Sequence, residues 1–223
     1  MARRAVAELL GTALLLAAVV GSGIMGERLA GGDIAIALLA NTIATGAALV
    51  ALILAFGGIS GAHFNPVVTL SMAYRGAMPR HEAPIYMLAQ FAGGLIGVGA
   101  ANKMFGCAMF FASHHARRGS AQLLSEFVAT FGLLAVIWTC SNTRPAAVPY
   151  AVGAYITAAY WFTASTSFAN PAVTLARAAS DTFAGIRLVD VPGFIAAQLA
   201  GGIAATVICG WLIRSVPDAD ANA

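Results

Sequence analysis

Charge is scarce in this sequence. Asp, Glu, Lys and Arg make up 9% of its 223 residues, against roughly 25% in an ordinary soluble domain. That is too little to cover a water-soluble globule of this size. It excludes a disordered chain, a nucleic-acid binder and most cytosolic enzymes. Cysteine is scarce too. Cys107, Cys140 and Cys209 stand far apart, within or beside apolar runs, so no disulfide framework is implied and they read as small buried hydrophobes. Lys103 is the single lysine among 12 basic residues, which points to a GC-rich, bacterial genome. There is no HExxH, no GxSxG and no cluster of Asp and His ligands. An intramembrane enzyme, a bound metal and a cofactor therefore have no support in the sequence.

What the chain has instead is apolar length. Hydrophobic residues are 60% of it and the mean hydropathy is +0.83. This is the composition of a polytopic membrane protein, with the lipid bilayer as its solvent. Six helical spans of about 20 residues would use about 120 positions and leave only short loops. The spans read as residues 5–25, 34–56, 83–101, 123–140, 147–162 and 191–213. The first, following Arg3 and Arg4, could be taken for a signal peptide, but Glu8 inside it and the hydrophobicity of all that follows argue otherwise. The net charge of +3 says little about partners in such a chain, and the tail 217–223 is polar.

An internal repeat organises these spans. Phe64-Asn65-Pro66-Val67-Val68-Thr69-Leu70 recurs as Ala169-Asn170-Pro171-Ala172-Val173-Thr174-Leu175, and Gln90-Phe91-Ala92-Gly93-Gly94 as Gln198-Leu199-Ala200-Gly201-Gly202. Glu8 opens the first half as Glu126 opens the second. Each half reads as three spans with one short punctuated segment between its second and third. The chain is then one transmembrane channel domain, 1–223, with repeats at about 1–110 and 121–216. Three is odd, so the second half enters the membrane from the opposite side and the halves are inverted. Interrupted hydrophobic segments at matching places mark a midplane site.

The short segments have a physical role. Asn is a good helix N-cap and Pro suits the first helical position. Asn65 and Asn170 should each cap a half-helix, over about 67–74 and 172–179. Entering from opposite faces, the half-helices meet by their positive ends near the midplane. The side-chain amides of Asn65 and Asn170 become donors there, and cations and protons face a barrier. Gly61, Ala62, His63 and Phe64, with Thr166, Ser167, Phe168 and Ala169, would line the path with backbone carbonyls. A narrow pore with donors at its middle and acceptors beside them suits uncharged, hydroxyl-bearing solutes.

With these motifs the whole chain resembles the aquaporin, or major intrinsic protein, family. Ser60-Gly61-Ala62-His63-Phe64-Asn65-Pro66-Val67-Val68-Thr69-Leu70 is similar to the family's first signature and Phe168-Ala169-Asn170-Pro171-Ala172-Val173-Thr174-Leu175 to its second. The resemblance implies an all-α membrane protein of six transmembrane helices and two re-entrant half-helices in an inverted 3+3 repeat. It implies one pore per subunit, a homotetramer, and Glu8 and Glu126 as buried carboxylates bracing the re-entrant loops. An intramembrane carboxylate needs such donor partners. His63 matches a histidine lining the cytoplasmic half of the pore; the plainer reading is a polar residue satisfied within its loop. Basic residues divide six and six between the two faces, so the positive-inside rule decides nothing. Cytoplasmic amino and carboxyl termini, in a bacterial inner membrane, rest on the resemblance.

Two departures from the family pattern carry the functional expectation. Val67 stands where the first motif usually has alanine, adding two methyl groups where the half-helices touch. Val173 stands where the family usually has arginine after the second Asn-Pro-Ala. The other filter positions, counted from the motifs, are Thr45, Ala158 and Ser167. All four are uncharged and small or medium, so the constriction is expected to be wide and arginine-free, passing water and also glycerol, urea or metalloid acids such as arsenous acid. The sequence looks most like bacterial members associated with arsenic resistance. Arg177, one turn beyond Val173, either reaches the outer vestibule in place of the missing charge or pairs with Asp181 or a loop carbonyl. His114, His115, Arg117 and Arg118 read as a solvated loop, or else as a basic patch attracting anionic solutes. The mid-span glycine pairs read as close helix packing, and Trp138, Tyr155, Tyr160, Trp161 and Trp211 as interfacial or packing aromatics. A strictly water-selective pore, a proton-coupled transporter, which would need an acidic residue in its path, and a closed structural member are the competing functions.

Overall fold

The computed structural model describes residues 1–214. The polar tail 217–223, the end of the second repeat and the carboxyl terminus lie outside the described residues. Among the described residues eight α-helices follow one another: α1 Ala2–Leu29, α2 Ile34–Ser60, α3 Pro66–Tyr74, α4 Ala83–Met104, α5 Ser120–Thr143, α6 Val148–Phe162, α7 Pro171–Arg177 and α8 Val191–Arg214. Helices α1, α2, α4, α5 and α8 are long and apolar enough to cross a membrane. Helix α6 is the sixth membrane helix, 15 residues long and preceded by a single 3-10 turn at Pro145–Ala147. Helices α3 and α7 are the re-entrant half-helices. With the chain crossing at each long helix, the two halves are inverted, as the repeat requires.

Local chemistry sets the boundaries. Gly31 and Gly32 carry positive φ at the α1–α2 turn, and the Asp33 carboxylate then caps α2 by accepting from the Ala35 and Ile36 amides. Helix α2 ends on Gly61 in the left-handed conformation at φ 89°, the position where glycine carries no Cβ penalty. Asn65 and Asn170 are extended and cap α3 and α7, with proline next in each.

The packing repeats with the sequence. Helix α1 lies along α4, and α5 along α8. A methyl group at Gly93 would overlap the Leu9 carbonyl, and one at Gly201 the Phe127 carbonyl. Small residues here let backbones touch, which is how helices associate where lipid is as apolar as leucine. Each half-helix is wedged between α4 and α8. Val67 packs a methyl against Gly202 of α8, so its extra bulk relative to alanine is accommodated by that glycine rather than at the half-helix junction. The three cysteines form no disulfide, and only Cys209 is fully buried.

Candidate functional site

The two half-helices meet through their caps. Asn65 Oδ1 accepts from the Val67 amide at 2.9 Å, and its Nδ2 donates to the Ala169 carbonyl at 2.7 Å. Asn170 Oδ1 accepts from Ala172 and Val173, and its Nδ2 donates to the Phe64 carbonyl at 2.8 Å. Each cap therefore ties the opposite loop. An amide nitrogen carries two hydrogens, so one donor per asparagine is spent on this lock and one is left for the cavity that both residues line.

The loops before the caps are unusual backbone. Ala62, Phe64, Thr166, Ser167 and Ala169 all have φ between 48° and 61°, a region costing a non-glycine residue about 1–3 kcal/mol. Two buried carboxylates over-determine this geometry. Glu8 Oε1 accepts from Ser60 Oγ and the His63 amide, and its Oε2 from the Phe64 amide and Gln90 Nε2, at 2.7–3.0 Å. Glu126 accepts from the Phe168 and Ala169 amides and from Gln198 Nε2, at 2.6–2.9 Å. Gln90 and Gln198 each give a second bond, to Thr69 Oγ1 and Thr174 Oγ1. The glutamines are visible in the sequence as a repeat, but their part in bracing is seen only when Glu, Gln and Thr from three elements converge.

One cavity runs through this centre. Its lining includes Gly61, Ala62, His63, Phe64, Ser167, Phe168 and Ala169 from the two loops, Thr45 from α2, and Val173 and Arg177 from α7. Thr166 does not line it. His63 is half-buried, with Nδ1 3.1 Å from Thr69 Oγ1 and its ring 5.3 Å from that of Tyr86; it both borders the cavity and is satisfied locally.

Ala158 is a correction. It lies on the exposed face of α6, away from the cavity. Val148, Val152, Ile156 and Tyr160 face the cavity instead, at a spacing of four. Tyr160 is buried and donates to Thr45 Oγ1 at 3.3 Å. The cavity lining therefore contains an aromatic hydroxyl, and Tyr160 is lining rather than an interfacial anchor. The count back from Asn170 crosses the end of α6 at Phe162 and a non-helical loop. A slip of two residues there turns a helix by about 200°, which moves the assignment from one face to the other.

The face opposite the amino terminus holds a second departure. Arg117 is not solvated: it is 8% exposed. Its guanidinium donates to the carbonyls of Gly185, Ser165 and Phe183 and to Thr166 Oγ1. Burial pulls its pKa down to about 10, so it stays charged at neutral pH. Arg177 is 2% exposed. Its Nε donates to the Ala184 carbonyl, while Nη1 has no partner. Both guanidiniums sit over the Phe168 ring, with Cζ 3.4 Å away for Arg177 and 4.8 Å for Arg117, within cation–π range. Arg177 thus meets a loop carbonyl and also reaches the cavity. Asp181 pairs with His114 at 2.8 Å instead, and that contact holds its carboxyl below the usual range. His115 is pushed down chiefly by burial, then by Arg117 and Arg177. Arg118, His114 and His115 are exposed.

Comparison with known proteins points one way. A family model described as "Major intrinsic protein" matches residues 1–164. The chain is 53% identical over 214 residues to "Aquaglyceroporin AqpS" of Rhizobium meliloti (strain 1021), covering 96% of this chain and 91% of that one. It is 34% identical over 138 residues to "Aquaporin NIP1-3" of Oryza sativa subsp. japonica, covering 61% of this chain and 47% of the relative. Among solved structures, the aquaglyceroporin from Plasmodium falciparum superposes with a TM-score of 0.74 over 96% of both chains, at 20% identity. At that identity the likeness speaks for the fold alone.

Proposed function

The chain belongs to the major intrinsic protein family, and from that premise we propose that its pore favours solutes larger than water, glycerol first. It is a membrane channel for water and small solutes and not an enzyme. The finer reading rests on Val173. An arginine at that position would fill the constriction and donate several fixed hydrogen bonds; valine does neither. The lining that remains is amphipathic, with Val173 apolar and Thr45, Tyr160 and Ser167 carrying hydroxyls. A polyol can set its carbons against the first and its hydroxyls against the others. Urea and arsenous acid, both small, uncharged and rich in hydrogen-bonding groups, belong to the same class. The asparagine donors at the centre, one per residue, would hand each solute across the midplane while disfavouring cations. A homotetramer in the bacterial inner membrane, with the amino terminus cytoplasmic, completes the proposal.

A coupled transporter fits less well. Glu8 and Glu126 are the acidic groups within the spans, and their oxygens are occupied by four and three hydrogen bonds respectively. A coupling carboxylate must be free to take up and release a proton. The test is stopped-flow light scattering on proteoliposomes, with water, glycerol, urea and arsenous acid run in parallel. Glycerol entry well above that of empty liposomes is expected. Water flux without glycerol flux would leave a strictly water-selective pore.

A further inference from the structure

Arg117 and Arg177 are both more than nine-tenths buried. Buried charges in proteins are ordinarily paired. Yet neither side chain makes an ion pair among the described residues. Their hydrogen bonds go to carbonyl oxygens and one threonine hydroxyl, which are neutral acceptors. The carboxylates of the same region are committed elsewhere. Glu126 holds the Phe168 and Ala169 amides and Gln198. Asp190 pairs with Arg187 and accepts from the Arg117 backbone amide, not its side chain. Asp181 pairs with His114.

Two donors are left over on residues that line one cavity. Arg177 Nη1 and Ser167 Oγ are buried without a hydrogen-bond partner, and both residues line the cavity. An orphaned donor of this kind is destabilising, and more so when charged. A buried guanidinium with a free nitrogen, a hydroxyl on the same cavity and a second guanidinium on the same aromatic ring make a donor set that recognises an oxygen anion.

We propose that Arg177, Ser167 and Arg117 form a binding site for a small oxyanion at the mouth of the pore opposite the amino terminus. Arg177 and Ser167 supply the direct hydrogen bonds. Arg117, whose guanidinium also lies over the Phe168 ring, adds positive charge. The anion so held lies beside Val173 and Ser167, in the path of neutral solutes, and slows them. The positive charge absent at position 173 is thus relocated by one helical turn, from a filter that donates to every solute to a site that is occupied or empty. This site does not depend on which neutral solute the channel passes.

The test uses inorganic phosphate against chloride, at matched ionic strength and osmolarity so that screening is equal. Two readings are taken on the full chain: thermal unfolding in detergent, and water efflux from proteoliposomes. Phosphate at tens of millimolar is expected to raise the unfolding midpoint, by mass action on the folded state, and to slow efflux. Arg177→Gln should abolish both effects. That variant also loses the bond to Ala184, so Ser167→Ala, which breaks no hydrogen bond, is measured beside it and should weaken the phosphate response several-fold. Wild-type protein that conducts water but shows neither effect would overturn the site and leave the channel intact. An unaltered phosphate response in both variants would overturn it as well. Absence of water and glycerol flux would strike the channel reading instead.

Discussion

Glu8 and Glu126 show how much one side chain can hold. Each is fully buried and binds two consecutive amides of a loop whose backbone is left-handed at several non-glycine positions. Glu126→Gln keeps one acceptor and sets a donor against Gln198 Nε2 and an amide, leaving buried donors unmet at about 1–3 kcal/mol each. The variant should unfold at lower temperature and lose water flux; a melt in detergent and a swelling assay on the same preparation check both. Glu8→Ala removes four bonds and should be the more damaging. Of the candidate site residues, Asn65, Asn170, Glu8 and Glu126 were legible because they recur in both halves. Tyr160 was not, because the count that reached Ala158 ran through a loop of no fixed period. Arg117 was not legible either. Its burial depends on carbonyls of residues 165, 183 and 185, more than forty positions away.

Among the elements, the re-entrant half-helices and the loop at residues 105–119 behave differently. Helix α3 and helix α8 meet at Val67 and Gly202, where an added methyl has no room. Gly202→Ala should therefore destabilise by the cost of overpacking, typically 1–3 kcal/mol. The pair Val67→Ala with Gly202→Ala should recover most of it, and a double-mutant cycle on unfolding midpoints reads the coupling. Mid-span glycines were legible as packing residues, but which glycine faces which partner was not, since that needs the crossing of two helices. The loop at residues 105–119 is tied by His114 to Asp181 and by the His115 carbonyl to the Arg187 amide. His115 has a folded pKa below the ordinary 6.5. The unfolded or detached loop binds the proton more readily, so the attachment is strongest above that value and weakens as pH falls through it. Asp181, held below its ordinary 3.8, stays charged throughout that window and loses its contribution only at stronger acid. Hydrogen exchange over 105–119, corrected for intrinsic rates, should be faster at pH 5.5 than at 7.5, and His115→Gln should shrink the difference.

For the whole molecule, scarcity of charge turned out to be an arrangement. The composition and the repeat were enough to give six membrane helices, two half-helices and inversion. They could not give the phase of α6 or the fold of the loop at residues 105–119, since both depend on contacts between halves. The proposed role of Val173 is to open the pore to solutes larger than water. It is tested most directly by measuring glycerol and water permeability side by side, in proteoliposomes of the wild type and of Val173→Arg. The variant's glycerol-to-water ratio should fall at least about tenfold, equivalent to about 1.4 kcal/mol of added barrier, with water still passing. Equal ratios in the two proteins would contradict it.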